Sequence, residues 1–222
     1  MAYILGVDVS HHNVDDRGGP IDWPAVTAAG YSFALVKASD GPDFHDPQLE
    51  PSIEGAKAAG LLVGAYHFLR PGFDAGYQAQ SFLRALEPHG GLDFLDLRPA
   101  VDVEDPSDDP GAWLRIDGPT RVLKVQHWCD VLDGEAGAPS QIYTDPPWWA
   151  GTIGGGAFAS HPLWAARYSQ TEPDLAGTPW QTVSWAIWQH SQSGVVAGIG
   201  ARVDLNYLKE GVDVFMPGKG GS

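Results

Sequence analysis

Cysteine and basic residues are both scarce in this sequence. Cys129 is the only cysteine among 222 residues, so no intramolecular disulfide can form. The 13 lysines and arginines are outnumbered by 28 aspartates and glutamates, which gives a formal net charge of −15. This charge argues against a protein that binds nucleic acid through its phosphates, and it offers no attraction to an anionic membrane. We therefore expect neither nucleic acid nor a membrane as a partner.

Long apolar runs are also missing. No stretch of 18 or more apolar residues occurs, so the sequence predicts no transmembrane helix. The first residues, MAYILGVDVSHHN, lack the basic segment and the long apolar core of a signal peptide, and they have instead the pattern of a strand. If the protein acts outside the cytoplasm, we expect release by a holin or by lysis, or another non-classical route.

The remaining composition is that of an ordinary globular protein. Hydrophobic residues make up 43% and charged residues 18%, which excludes a disordered chain. We predict one catalytic domain over residues 1–215, followed by a flexible, linker-like tail over residues 216–222. Cys129 lies in a helical pattern and is interpreted as a buried structural thiol. We expect a monomer without a cofactor.

Strand-like and helix-like segments alternate along most of the chain. This alternation predicts an α/β fold with a parallel sheet, and eight such strands can close into a TIM-like barrel. A doubly wound open sheet is the alternative. Asp22 and Asp46 are expected to cap the first two helices. The predicted strands are 3–9, 32–37, 61–68, 98–104, 141–144, 163–167, 184–189 and 201–205. The predicted helices are 22–30, 46–60, 75–86, 119–132 and a short one after Asp145.

Four acidic residues, Asp8, Asp102, Glu104 and Asp204, each stand at the end of an apolar strand. Active sites of parallel barrels collect at the carboxyl ends of the strands, so we expect these side chains to meet there. A single such residue is more often a helix cap or an ion-pair partner, but four of them favour a site.

Asp102 and Glu104 form the most informative pair. Side chains two positions apart on a strand point to one face, with Cα atoms roughly 6.5 Å apart. Two carboxyl groups are the minimum for glycoside hydrolysis, because one donates a proton and the other stays charged near the developing positive centre. Repulsion between crowded carboxylates pushes their pKa values apart and divides these roles. Tyr66, Tyr143 and Trp164 lie near strand ends and are interpreted as sugar platforms, although Trp185 is assigned to the core.

A series of motifs makes the sequence recognisable. It is similar to the family 25 glycoside hydrolases over nearly the whole chain, from about residue 4 to about 208. Two departures stand out: Ser39-Asp40 replaces the more usual Thr-Glu, and residues 15–20 look like a small insertion. The motifs, in order, are GVDVSHHN (6–13), IDW (21–23), VKASDG (36–41), VGAYHF (63–68), VDVED (101–105), IYT (142–144), LWAARYS (163–169), IWQHSQSGVVAGI (187–199) and VDLN (203–206).

The resemblance implies a single-domain (β/α)5(β)3 barrel. It also implies an N-acetylmuramidase, or lysozyme, that cleaves the β-1,4 bond between N-acetylmuramic acid and N-acetylglucosamine in peptidoglycan. Glu104 matches the general acid/base and Asp102 its partner, while Asp8 and Asp204 match the other acidic active-site positions. Substrate binding is assigned to Tyr66, Lys37, Tyr143, Trp164 and Gln189.

Several alternatives remain open. An inactive wall-binding module could share this barrel, and a barrel hydrolase could act on another polysaccharide. His11-His12 lacks a second ligand pair for zinc, and no calcium or phosphate motif accompanies the carboxylates, so we predict no metal. Asp102 either attacks the anomeric carbon or orients the 2-acetamido group of the substrate, and we favour the second route.

Overall fold

The computed structural model describes residues 3–14, 19–155 and 157–219. These residues form strands that alternate with helices as far as Thr152, apart from one two-residue strand that directly follows another strand, and they contain no α-helix beyond Thr152. The strands are β1 (Tyr3–Val9), β2 (Phe33–Asp40), β3 (Phe44–His45), β4 (Leu62–Phe68), β5 (Ala100–Asp102), β6 (Gln141–Thr144), β7 (Leu163–Ala166), β8 (Ile187–Gly194) and β9 (Val203–Lys209). The helices are α1 (Trp23–Ala28), α2 (Leu49–Ala58), α3 (Ala75–Leu86), α4 (Gly118–Ala136) and α5 (Pro146–Thr152).

Eight of the strands close into a barrel. Going around it, β1 is followed by β2, β4, β5, β6, β7, β8 and β9, and β9 pairs again with β1. The short strand β3 only extends β2. One α-helix follows each of the first five barrel strands, and none separates the last three barrel strands. This order confirms the predicted (β/α)5(β)3 barrel. Closure rules out the open doubly wound sheet.

The last strand corrects one prediction. We expected Asp204 at the end of a strand over residues 201–205, but β9 begins at Val203 and Asp204 is its second residue. β9 runs antiparallel to both β8 and β1, so its beginning lies at the edge where the parallel strands end. Asp204 is the direct ladder partner of Asp8. The predicted meeting of the carboxylates is therefore correct, but its reason is strand reversal.

Aspartate caps begin four of the five helices. The side chains of Asp22, Asp74, Asp117 and Asp145 each accept a hydrogen bond from the backbone N–H three residues later, where an unpaired helical donor needs a partner. The expected cap at Asp46 is wrong, because α2 begins only at Leu49.

Asp46 has a different role in the structure. Its buried carboxylate accepts hydrogen bonds from the backbone N–H of Gln48 at 2.8 Å and of His11 at 3.1 Å, and it contacts Nδ1 of His11 at 2.7 Å. It therefore ties the turn after β1 to the start of α2. Both segments border the carboxyl edge of the barrel.

The core lies between the strands and the helices. Val101 and Val103 are fully buried on the helix side of β5 and its extension, as their spacing predicted. Cys129 is buried on α4, and Trp185 is buried as well, which confirms both core assignments. Inside the barrel, Gly6 lies against the ring of Phe33; an added Cβ would lie 2.2 Å from Cζ of that ring. The interior of the barrel below the site is therefore tightly packed.

The C-terminal segment remains in contact with the barrel as far as it is described. Met216 is buried and donates its backbone N–H to the carbonyl of Asp96, while Phe215 bridges to Leu97. The division between residues 215 and 216 stays a prediction, and residues 220–222 of the predicted tail lie outside the described part, as do residues 15–18 of the apparent insertion. Within the described ranges, no helix combines the length and apolarity needed to span a bilayer.

Candidate active site

A cleft of about 490 Å³ opens at the carboxyl edge of the barrel. All nine residues that the sequence predicted as catalytic or substrate-binding line it. The nine are Asp8, Lys37, Tyr66, Asp102, Glu104, Tyr143, Trp164, Gln189 and Asp204. They come from all eight strands of the barrel and the loop after β5, so only closure of the barrel brings them together.

Asp8 is held in the cleft by two amide side chains. Its Oδ2 accepts hydrogen bonds from Nδ2 of Asn206 at 2.7 Å and from Nε2 of Gln189 at 2.9 Å. Gln189 also reaches Oδ2 of Asp204 at 3.3 Å. Burial raises the pKa of Asp8 well above its ordinary value, and the charge of Asp204 raises it further. The pKa of Asp204 is raised too, chiefly by burial.

Asp102 and Glu104 lie at and just beyond the end of β5. Asp102 is the last residue of the strand, and its backbone carbonyl accepts the N–H of Leu69 at 3.0 Å. Glu104 follows the strand, and its carbonyl accepts Nε1 of the fully buried Trp113 at 2.9 Å. The strand thus fixes the first carboxyl group, and a buried indole fixes the backbone under the second.

Burial dominates the electrostatics of this pair. It raises the pKa of Glu104 to about 7, with added repulsion from Asp204, Asp145 and Asp105. It also raises the pKa of Asp102 well above its ordinary value, and here the charge of Glu104 is the next cause. The expected contrast, with Asp102 charged and Glu104 protonated, is therefore not produced by burial alone. Lys37 opposes both shifts, because its positive charge favours the carboxylate forms.

One oxygen of Asp102 stands out. Its Oδ1 is buried and has no hydrogen-bond partner among the described residues. Leaving a buried polar atom unpaired costs about 1–3 kcal/mol. This atom therefore suits a donor supplied by a ligand in the cleft.

Lys37 belongs to an ion-pair network at one side of the cleft. Its Nζ donates to Oδ2 of Asp40 at 3.1 Å, and Arg70 binds both oxygens of the same carboxylate through Nε and Nη2. Arg70 also pairs with Asp108, and its guanidinium lies 4.7 Å from the centroid of the Phe68 ring. The network joins the end of β2 to the loops after β4 and β5.

Aromatic side chains form the wall between the carboxylates. Trp164 contacts Tyr143 with ring centroids 4.6 Å apart and Tyr66 at 5.7 Å, and its Nε1 donates to Oδ1 of Asn206. The hydroxyls of Tyr143 and Tyr168 both donate to Oε1 of Gln189, at 2.8 and 3.0 Å. Burial raises the pKa of all three tyrosines, so they stay protonated donors at neutral pH.

Several residues of the site were missed by the sequence analysis. Asn206 follows Asp204 by two positions, the same spacing that indicated a shared face for Asp102 and Glu104. Its position on the inner face of the barrel could therefore have been predicted. Tyr168 lies inside the motif LWAARYS. Asp40 lies inside the motif VKASDG, but its ion pairs with Arg70 and through Arg70 with Asp108 carried no local signal, because these residues are distant in sequence.

Side chains of metal-ligand type also occur elsewhere. In the described part of the chain, Glu50, Glu54 and His89 bring ligand atoms within 4.8 Å of one another, on α2 and the turn after α3. None of them lines the cleft. Of the adjacent histidines, His12 lines the cleft and His11 pairs with Asp46.

A barrel that carries paired, buried carboxyl groups in an open groove has the architecture of a glycoside hydrolase. The family model "Glycosyl hydrolases family 25" matches residues 7–199, and the chain belongs to that family. Lysozyme M1 of Streptomyces globisporus is 30% identical over 210 residues, which span 91% of this chain and 67% of that protein. The N,O-diacetylmuramidase of Chalaropsis is 27% identical and covers 88% of this chain and 91% of its own.

Solved structures agree with the sequence comparison. A bacterial lysozyme from Streptomyces coelicolor superimposes with a TM-score of 0.80 at 27% identity, covering 94% of this chain and 93% of its own. The fold and the enzyme class, a glycoside hydrolase, are thereby shown for this chain.

Proposed function

We propose that this protein is an N-acetylmuramidase. It hydrolyses the β-1,4 bond between N-acetylmuramic acid and N-acetylglucosamine in peptidoglycan and so acts on the bacterial cell wall as a single chain. The observation that carries the proposal is the pair of carboxyl groups, Asp102 and Glu104, that lines the cleft at the end of β5. Burial raises the pKa of Glu104 to about 7, so that a proton is available at neutral pH. Membership of the family and the lysozyme and muramidase relatives support the same activity.

In the proposed reaction, Glu104 is the general acid. It gives its proton to the glycosidic oxygen as the bond to the anomeric carbon breaks. The carbonyl oxygen of the 2-acetamido group of the same sugar attacks that carbon and forms a cyclic oxazolinium ion. Glu104, now a carboxylate, takes a proton from water, and the resulting attack on the anomeric carbon reopens the ring with retained configuration.

Asp102 orients the acetamido group in this scheme. Its unpaired Oδ1 accepts the amide N–H and stabilises the positive charge that develops on the ring. Direct attack by Asp102 is less favoured, because Asp102 and Glu104 come from one strand and its extension. Direct attack needs the two groups on opposite faces of the sugar. Asp8 and Asp204 support the cleft through Gln189 and Asn206, and Lys37, Tyr66, Tyr143 and Trp164 bind the sugars.

The first test is Glu104→Gln, which keeps the shape but removes the proton donor. We expect turnover to fall by about 10²-fold or more, with folding retained. Fragments released from purified peptidoglycan are analysed by mass spectrometry, where muramidase cleavage leaves muramic acid at the new reducing end. Glucosamine at that end would contradict the proposed specificity. Binding to the wall without release of any fragments would favour the inactive wall-binding module instead.

The second test separates the two routes for Asp102. A thiazoline analogue of the cyclised intermediate should inhibit competitively if the acetamido group attacks. A 2-fluoro glycoside that leaves a covalent sugar on Asp102 would instead demonstrate direct attack. An inverted product would refute both routes and point to a water activated by another carboxylate, with Asp8 or Asp204 as the first candidates.

A further inference from the structure

A second depression adjoins the cleft where the loops after β2, β4 and β5 meet. We call it the side basin; it has a volume of about 370 Å³ and is lined by residues 40–44, 70–73 and part of the loop after β5. Asp40, Arg70 and Asp108 line both the side basin and the cleft. The two depressions therefore adjoin, and the ion-pair network of Arg70 lies between them.

Exposed aromatic side chains gather around these two depressions. Among the described residues, Phe44, Phe73, Tyr77 and Tyr168 are the aromatic side chains exposed beyond about a third, at 41%, 52%, 51% and 49%. Phe44 and Phe73 line the side basin, the hydroxyl of Tyr77 donates to its residue Asp43 at 3.5 Å, and Tyr168 lines the cleft. Exposed phenyl rings are unfavourable in water, so their concentration on one face indicates a ligand with apolar faces.

The polar groups of the side basin restrict that ligand further. Arg70 uses three of its five N–H groups on Asp40 and Asp108, which leaves two without an acceptor among the described residues. Asp43 and Asp109 add carboxylate acceptors to the lining, so carboxylates outnumber the guanidinium. A neutral N-acetylated amino sugar matches this lining. The phenylalanine rings contact its apolar faces, the carboxylates accept hydrogen bonds from its hydroxyls, and Arg70 donates to its acetamido carbonyl. The excess of negative charge disfavours an anionic peptide.

We propose that the side basin is a glycan-binding site that holds sugars of the strand lying beyond those in the cleft. Phe44 and Phe73 contact the apolar faces of these sugars, and Arg70 donates to an acetamido carbonyl. The proposal rests on the proposed function, since the same polymer occupies both depressions. Its consequence is a preference for long strands over short ones.

The test measures binding in a Glu104→Gln background, which keeps the ligand intact. Titration calorimetry compares a peptide-free tetrasaccharide, which the cleft alone is expected to hold, with an octasaccharide of the same glycan. The lactyl carboxyl groups of both ligands are amidated, so that both are neutral. We expect Phe73→Ala to weaken octasaccharide binding about three- to tenfold and to leave tetrasaccharide binding unchanged. Phe44→Ala should act in the same direction. Leu123→Ala is the matched control, because Leu123 is 65% exposed on α4 and lines neither depression.

Other outcomes would overturn the inference. Equal loss for both oligosaccharides, or no loss in either phenylalanine variant, would remove the side basin from glycan binding. A loss seen only with peptide-bearing strands would assign the side basin to the stem peptide. Failure of the proposed function has a separate signature, because wild-type protein would then release no muramic acid ends from peptidoglycan.

Discussion

The alkaline limb of the pH–activity profile follows directly from the environment of Glu104. If this residue is the general acid, kcat/KM depends on the fraction of free enzyme in which its carboxyl group is protonated. Burial sets the pKa at about 7. That fraction is then about 0.9 at pH 6, about 0.09 at pH 8 and about 0.01 at pH 9. We therefore predict that kcat/KM falls about tenfold from pH 6 to pH 8 and about tenfold again by pH 9.

The assay uses soluble peptidoglycan oligomers far below KM at constant ionic strength, with initial release of reducing ends as the signal. Circular dichroism at each pH confirms that the protein stays folded. A profile that stays flat from pH 6 to pH 9 would refute the assignment of Glu104 as an acid with a pKa of about 7.

Lys37 provides a control for this reasoning. Its ammonium favours the charged form of Glu104, so Lys37→Met should move the alkaline limb to higher pH, while Lys37→Arg keeps a positive charge and should move it less. Binding through Lys37 changes KM, so the position of the limb is the informative quantity rather than the height of the profile. A limb that stays in place in Lys37→Met would mean that the titrating group does not face Lys37.

Two further predictions concern stability and metals. His67 is fully buried, and burial lowers its pKa from 6.5 to about 4. The unfolded chain therefore binds a proton at this residue below pH 6.5, whereas the folded protein does so only near pH 4. The free energy of unfolding consequently decreases as the pH falls from 6.5 to 4. In urea titrations the stability advantage of wild type over His67→Gln should shrink by up to about 3 kcal/mol across that interval, and a constant difference would contradict this. Activity should survive excess EDTA, because the cleft carboxylates are assigned acid, base and orienting roles; complete loss that is restored by Mg²⁺ or Ca²⁺ would overturn these roles.

Much of the candidate site was predictable because its residues carry local signals. Asp8 and Asp102 lie at the carboxyl ends of parallel strands. These ends meet at one edge of the sheet whatever the details of packing. The aspartate caps at Asp22 and Asp145 were equally local, since a cap needs only the first turn of its own helix.

The remainder depended on contacts between distant segments. The reversal of β9 is decided by closure against β1, and a short apolar run has no direction of its own, so Asp204 was predicted at the wrong end of its strand. Asp46 was taken for a helix cap because the turn that it binds, at His11, lies 35 residues away. The raised pKa of Asp102 reflects burial by the whole barrel mouth, which spacing along one strand does not contain.

A comparison of Asp8 with Asp102 shows how the cleft separates support from chemistry. Both carboxyl groups are buried, but Oδ2 of Asp8 has two amide donors, whereas Oδ1 of Asp102 has none among the described residues. An unpaired buried acceptor costs about 1–3 kcal/mol, and a donor on the bound substrate removes that cost. A donor whose hydrogen bond strengthens as positive charge develops stabilises the transition state more than the substrate, which is the condition for faster turnover. The acetamido N–H meets this condition, and the unsatisfied oxygen of Asp102 is therefore the strongest structural argument for its orienting role.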